Sequence, residues 1–435
     1  MLLLAARPAA PQTQGSQPLP PRLTVEEAVA RATAASHRLA AMREQTGAAA
    51  AVVDQRAAAR KPTVAAQASY QRTNHVDPLR VFTPGEGLQV LYPDVPDNYL
   101  TRVELQWPIY SGGRFEALER AAQAEATASG KDLEAARADL KLEVTRAYWA
   151  LVTAREAARV LTEGVRRVDA QLADVRSRFD SGFVPPNDVL TVEAQRARQE
   201  VQRIQAENQS GIAEADLAEL IDAPLGAHIE LDASLGTPVV APSSDTAALL
   251  ADATSNRPER AALDTRIHGA EARVRAASAG RLPTVSFLTG ADYSRPNPKI
   301  FPRQDSWKNT WDVGVTFNWT LWDSGRTKAE VAEATHLANA TRERLLDFDR
   351  TLATDIHQQL LDLDSARAEI SAADEGIKSA TEARRVVQER FNAGVATTTD
   401  LLDAQVALLQ AELDKTRALA STQLALARLD RVLGR

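Results

Sequence analysis

The residues that most often carry chemistry are sparse in this sequence. Cysteine is absent, and histidine occurs six times, at His37, His75, His228, His268, His336 and His357. The missing cysteine removes disulfides, zinc–thiolate sites and thiol nucleophiles. The histidines are scattered without metal-site spacing, and neither a glycine-rich phosphate loop nor a nucleophile elbow occurs. The chain therefore reads as a non-enzyme with no metal and no cofactor. Carboxylates remain. Asp188 and Asp400 each stand six residues after a glycine, Gly182 and Gly394, in the stretches RFDSGFVPPNDVL from Arg178 and RFNAGVATTTDLL from Arg390. Their elementary chemistry is that of a helix N-cap, because a carboxylate accepts from the free amides of a first turn. Asp403, one turn further in, would favour the positive end of the same helix.

The two stretches lie 212 residues apart, and the offset extends beyond them. LQWPIYSGGR from Leu105 falls on FNWTLWDSGR from Phe317, so that Trp107, Gly113 and Arg114 meet Trp319, Gly325 and Arg326. Nearer the two starts the offset is 219, where ATAASHR from Ala32 faces ADATSNR from Ala251, and it is 221 at Pro62 and Pro283. The chain is two copies of one unit. The fall from 221 to 212 puts nine extra residues between Pro62 and Trp107, which predicts a longer loop in the first copy.

A chain of 435 residues has room for about two or three ordinary domains, but a tandem repeat can instead build one elongated body. The net charge of −7 and the absence of a Lys/Arg run argue against a nucleic-acid partner. Residues 1–22 hold five prolines and one short apolar run, LLLAA, and read as a disordered leader or signal remnant. No run approaches the ~18 to 20 apolar residues of a membrane helix, so any span must be made another way.

Between Arg114 and Phe179 there is no proline, and apolar residues recur at spacings of three and four. Val144, Tyr148, Leu151, Leu161, Val165, Val168, Leu172 and Val175 carry this rhythm, and Ile356, Leu360, Leu363, Ile370, Ile377, Val387 and Phe391 repeat it. A helix of that length would reach roughly 100 Å. Gly182 and Gly394 then suit a left-handed C-terminal residue, so each repeated stretch reads as a helix-hairpin tip, 178–190 and 390–402. A return helix follows each tip, to about Ile221 in the first copy and to the chain end in the second.

A different period precedes each long helix. Around 101–110, Val103, Leu105, Trp107 and Ile109 share one face, opposite Arg102, Glu104 and Gln106. Around 311–322, Val313, Val315, Phe317 and Trp319 do the same, opposite Asp312, Thr316 and Asn318. Earlier partners lie at about 63–70 and 284–293. Such strands match the ~9 to 11 residues of a membrane strand, with tryptophan placed as an interface belt would have it. A soluble sheet would need a protein core over the Trp/Phe/Val face, and the narrow alanine-rich seams of the helices offer none; bilayer lipid would cover it. Four strands do not close a barrel, because the smallest membrane barrels have about eight, and an open edge cannot stand in lipid, so several chains would share one barrel. The Pro-, Asn- and Asp-rich segments between paired strands suit exposed loops.

This order, with WPIYSGGR and WTLWDSGR at the strand-to-helix joints and the two tip stretches, resembles the TolC family of outer-membrane efflux channels over residues 23–435. The resemblance implies a mainly α fold with a membrane β part. A first repeat spans 23–221, a linker that belts the tunnel spans 222–245, and a second repeat spans 246–435. It further implies a homotrimer whose twelve strands form one barrel in outer-membrane lipid of a Gram-negative bacterium, continued by a periplasmic helical tunnel. The tips, with Arg178, Gly182, Asp188, Arg390, Gly394 and Thr397, would dock a periplasmic adaptor that serves an inner-membrane pump. Asp400 and Asp403 match acidic positions that line the family's constriction, which implies a cation-selective, pH-sensitive mouth. Where some relatives tie the tips with a tyrosine and an arginine, this chain has Phe391 and Ala396. Closure by packing of Phe179 and Phe391 is expected instead.

The function expected is a passive exit duct for small molecules. The alternatives are the exit channel of type I protein secretion and, from a different class, a soluble coiled-coil scaffold of the cell envelope.

Overall fold

The computed structural model describes residues 22–85, 87–233, 235 and 245–435. The expected leader, apart from Arg22, lies outside the described residues, as does much of the 222–245 linker. The chain forms two compact units. One comprises the residues up to Met42 with Leu133–Pro258 and Phe348–Arg435, and the other comprises Arg43–Asp132 and Glu259–Asp347.

The repeat is plain in the element order. The first copy runs α1 (Val25–Ala35), α2 (His37–Ala58), β1 (Thr63–Arg72), β2 (Leu79–Thr83), β3 (Gly87–Tyr92), β4 (Asp97–Tyr110), α3 (Arg114–Asp180) and α4 (Pro186–Leu220). The second runs α5 (Thr246–Asn256), α6 (Pro258–Ser278), β5 (Thr284–Arg295), β6 (Lys308–Asn318), α7 (Arg326–Asn392) and α8 (Thr398–Leu433). The helix ahead of each strand pair is in fact two. Ser36 and Arg257 leave the helical region, and each amide still closes the turn behind it, on Ala32 and Ala253. Pro258 enforces the second break, since a residue before proline is pushed out of the helical region.

In the second unit β1, β4, β5 and β6 form one antiparallel sheet in that order. Register sorts the side chains by face. Val103 pairs with Ala291 and Ala291 with Trp311; Leu105 pairs with Thr289 and Thr289 with Val313; Trp107 pairs with Phe287 and Phe287 with Val315. The opposite face carries Gln67, Arg102, Glu104, Asp292 and Asp312. One apolar face and one polar face follow directly from the two-residue period. The apolar face is bare in the single chain, with Val313, Val315 and Phe317 each at least 60% exposed. β1 and β6 are the edges of this sheet.

Three sequence expectations need correction here. The segment between β1 and β4 is not only loop: Leu79–Thr83 and Gly87–Tyr92 pair as a hairpin, which absorbs the extra residues of the first copy. β4 starts earlier than position 101, at Asp97. β6 ends at Asn318, so Trp319 and the following residues through 322 lie past the strand. Trp319 leaves the ladder for a different job: its indole Nε1 donates to the carbonyl of Arg281 at 3.1 Å. Trp107 does the same to Arg60 at 3.2 Å, so both copies tie the strand end to the segment that leads into the strand pair.

In the first unit the heptad-like residues are the core. Val144, Tyr148, Leu151, Val168 and Val175 are at most 1% exposed. The largest cluster gathers around Tyr148, with Leu23, Leu39, Leu217 and Ile229. Leu23 and Leu231 form a parallel bridge, and the Tyr148 hydroxyl donates to the Leu23 carbonyl at 2.9 Å. Arg155 fixes the described part of the linker, donating to the Ile229 carbonyl and to Glu214, each at 2.7 Å. The seam of α7 is less covered than that of α3: Ile370, Ala373, Ile377 and Ala380 are only half-buried.

Burial pushes the Tyr148 hydroxyl up to about 12, because the phenolate would lose its water. A pKa raised by folding contributes stability below the unfolded value, near 10, that is lost as pH rises toward 12. The melting midpoint should therefore fall between pH 10 and 12. Tyr148→Phe should lower the midpoint at neutral pH by the loss of one buried hydrogen bond, about 1 kcal/mol. It should also flatten the alkaline fall, as followed by thermal melts across pH; an unchanged alkaline fall would contradict this reading.

Candidate functional site

The candidate site lies where α3, α4, α7 and α8 end, at the two tips. Gly182 and Gly394 both adopt φ +75°, the left-handed region that a β-carbon disfavours. The two C-termini are closed identically. Phe183 N donates to the Arg178 carbonyl at 2.8 Å and Gly182 N to that of Phe179 at 2.9 Å, while Val395 N donates to Arg390 at 2.9 Å and Gly394 N to Phe391 at 3.0 Å. This is the double closure of a Schellman motif, written twice.

The return helices start differently from one another and from expectation. Asp400 is not the N-cap of α8; Thr397 is. The Thr397 hydroxyl accepts from Asp400 N at 3.1 Å, and the Asp400 carboxylate accepts from Thr397 N at 2.8 Å, a reciprocal capping box. Those bonds from Thr397 hold the Asp400 carboxyl below the usual carboxylate range. Asp188 is not an N-cap either, because α4 begins at Pro186 and its N-cap, Pro185, has no side-chain acceptor. Asp188 instead accepts from the Thr398 hydroxyl of the other tip at 2.8 Å.

That bond, between residues 210 apart in sequence, is one of two clasps between the tips. The other is Arg178. Its guanidinium carbon lies 4.5 Å from the centre of the Phe391 ring, and its Nη2 donates to Asn392 Oδ1 at 3.0 Å, while Asp174 accepts from its Nε at 3.0 Å. Phe391 is 4% exposed, in a cluster with Val168, Leu172, Val175, Val192, Leu401 and Leu402 that joins all four helix ends. Phe179, its repeat counterpart, is exposed and takes no part in this packing. Across the tips, a threonine hydroxyl reaches Asp188 and a cation lies over the phenyl ring of Phe391.

The clasp frames a groove of about 750 Å³ lined by Arg178, Phe183, Asp188, Thr397 and Thr398. Phe183 and Val395 stand out from the tips, at 81% and 65% exposure. Arg390 and Asp403 are exposed as well. Among the described residues no cluster of His, Asp and Glu is arranged to hold a metal. The tips offer hydrogen bonding, apolar contact and charge, and the arrangement suits docking and gating.

Thr397→Ala should remove the cap at a cost of about 1 kcal/mol, equivalent to an opening equilibrium of the first turn of α8 about fivefold larger. Hydrogen exchange at the Asp400 and Leu401 amides would read this directly. Asp403→Ala, one turn further in, should leave those amides unchanged.

Residues 28–223 and 249–435 match the outer membrane efflux protein family. Protein CyaE of Bordetella pertussis is 28% identical over 312 residues, covering 71% of this chain and 65% of that protein. The alkaline protease secretion protein AprF of Pseudomonas aeruginosa is 25% identical over 328 residues, covering 74% of this chain and 67% of that one. The chain thus spans just under two thirds of the first relative's length. The crystal structure of the outer membrane protein VceC from Vibrio cholerae shares the fold, with a TM-score of 0.78 at 17% identity over 94% of this chain and 96% of that one. The family match takes in both repeats and passes over only the segment between them and the N-terminal stretch. The chain, with its twice-written order of helices and strands, belongs to the outer membrane efflux protein family.

Proposed function

We propose that the protein is the outer-membrane channel of a tripartite export system. It would act as a homotrimer whose three sheets close one twelve-stranded barrel and whose helices line a duct through the periplasm. One observation carries this reading: a four-stranded sheet with an apolar face, a polar face and two free edges. In lipid every backbone donor and acceptor needs a partner, so β1 of one copy must pair with β6 of the next. The half-covered seam of α7 fits the same arrangement, since neighbouring copies would supply the missing side of its packing.

The tips would meet a periplasmic adaptor, and the adaptor an inner-membrane pump that supplies the energy. Arg178, Gly182, Asp188, Arg390, Gly394 and Thr397 shape that surface, the glycines by backbone conformation and the others by the bonds described above. Asp400 and Asp403 would line the constriction. Asp403 is the stronger candidate for setting ion selectivity, because the Asp400 carboxylate is engaged by its capping box. The depressed pKa of Asp400 keeps its charge in mild acid, which moves any pH response of the mouth to lower pH.

Small-molecule efflux is the leading assignment, in keeping with the family's description. Protein secretion is the second, favoured by the likeness to a relative named for alkaline protease secretion. A photo-crosslinker at Thr397 in the native host would separate them through the adaptor captured and the pump that accompanies it. Capture of soluble partners alone, with no membrane trimer, would favour the scaffold alternative.

Two further outcomes follow from the barrel and the mouth. Val315→Lys places a charge on the lipid face and should cost about 2–4 kcal/mol if Val315 sits near the midplane, depleting trimer from the outer-membrane fraction. Thr316→Lys, on the opposite face, should be recovered normally, and equal loss of both would argue for a protein core over that face. In planar bilayers Asp403→Asn should lower the cation-to-anion permeability ratio more than Asp400→Asn does, as read from reversal potentials in a salt gradient.

A further inference from the structure

The polar face of an isolated sheet should be open to water, and most of it is. Gln67, Gln71, Glu104 and Gln106 are all exposed. Asp292 and Ser294, on the same face, are only 7% and 1% exposed. What covers them is the first part of the connection between β5 and β6, residues 296–307, where Asn297 and Lys299 fold back over the polar face; its last residue, Trp307, packs on Tyr293 of the other face.

This connection is held along its length, and near its end Asp305 accepts from Arg295 Nε at 2.7 Å and Nη2 at 3.1 Å. Near its start Asn297, itself 1% exposed, donates through Nδ2 to the Lys308 carbonyl and to Thr310 Oγ1, each at 3.1 Å. Near its end Arg303 donates to Asn98 Oδ1 at 2.6 Å and from its backbone amide to the Leu91 carbonyl at 3.1 Å, while Trp307 stacks on Tyr293 with ring centres 4.9 Å apart. At the middle Lys299 reaches the sheet itself, and its ammonium donates to both Asp292 and Asp312. Arg102 bridges the same two carboxylates from the other side, at 2.7 Å to Asp292 and 3.2 Å to Asp312. Gly290 makes this reach possible, because a β-carbon there would lie 2.6 Å from Arg102 Nη2.

The outer attachments are hydrogen bonds, ring contacts and the Arg295–Asp305 ion pair, made to strand ends and the β2–β3 hairpin. Asn297 reaches the polar face at Thr310, beside Asp292, and the attachment that spans from Asp292 across to Asp312 is the ionic one of Lys299. We propose that residues 296–307 form an inward-folded lid at the outer mouth of the channel, latched where Lys299 bridges Asp292 and Asp312. This rests on the reading that the polar face lines the lumen. The lid lies at the strand ends farthest from the helices, so it would control passage independently of the tips. Freed from Lys299, the middle of the connection would lift off Asp292 and Ser294 and widen the mouth.

The chain has no cysteine, so one introduced thiol reports its own surroundings. Ser294→Cys puts that thiol beneath the lid, at a side chain whose buried hydroxyl has no hydrogen-bond partner and so loses little by the change. Gln71→Cys puts it on the open part of the same face. Both are made in the full chain, and intact cells are treated from outside with a membrane-impermeant maleimide. Gln71→Cys should react quickly and Ser294→Cys slowly. Adding Lys299→Glu, which turns an attraction for two carboxylates into a repulsion, should speed Ser294→Cys at least tenfold and leave Gln71→Cys unchanged. Asp312→Asn is the milder second variant and should act in the same direction if the first fails to reach the membrane. Fast labelling of Ser294→Cys with Lys299 intact would overturn the lid, and protection that persists in both variants would overturn the latch. If neither thiol reacts, the polar face does not open to the outside, and the channel reading falls together with the lid.

Discussion

The structure depends on one constraint: a sheet with two different faces and two unpaired edges cannot be stable in lipid as a single copy. Its apolar face, from Val103 and Trp107 across to Val315 and Phe317, excludes water on one side. Its polar face, from Gln67 through Arg102 to Asp312, requires water on the other. The backbone groups along β1 and β6 need partners in lipid, and in the proposed assembly further copies of the chain would supply them. In that proposal, assembly is part of the fold.

The helical unit answers a different demand. Val144 and Leu151 on α3 and their counterparts Ile356 and Leu363 on α7 are buried alike, whereas nearer the tips Val165, Val168 and Val175 are buried and their counterparts Ile377, Ala380 and Val387 are only half-buried. The two copies of the repeat have thus diverged in how much of their packing is internal. The same divergence recurs at the tips, where the backbone closures are alike but only one of the two phenylalanines is buried. Arg178 of the first copy serves Phe391 of the second, and Thr398 of the second serves Asp188 of the first. A duplicated motif has become a reciprocal clasp.

Much of this was legible in the sequence because it is local or periodic. Glycine at 182 and 394 announces a left-handed residue, and both have it. Alternation at 101–110 and 311–322 announces two-faced strands, and the register shows two faces over Asp97–Tyr110 and Lys308–Asn318. What was not legible is either a close local competition or a contact across the chain. Three consecutive threonines precede Asp400, any of which can cap, and Thr397 takes the role because Asp400 then sits three residues on and can answer it. The hairpin at 79–92 hides in a stretch punctuated by proline and glycine, and its strands are only five and six residues long. Arg178 over Phe391 and Lys299 between two aspartates leave no periodic trace, because each joins segments that only the tertiary fold brings together.

The central claim is that the free edges of the sheet are closed by further copies of this chain. The most direct test is the number of chains in the particle extracted from the outer membrane, determined by native mass spectrometry in a mild detergent. Three chains per particle, with no monomer that retains the sheet, is the result predicted here. A monodisperse monomer with its sheet intact would mean that the edges are satisfied some other way, and the barrel shared between copies would have to be abandoned.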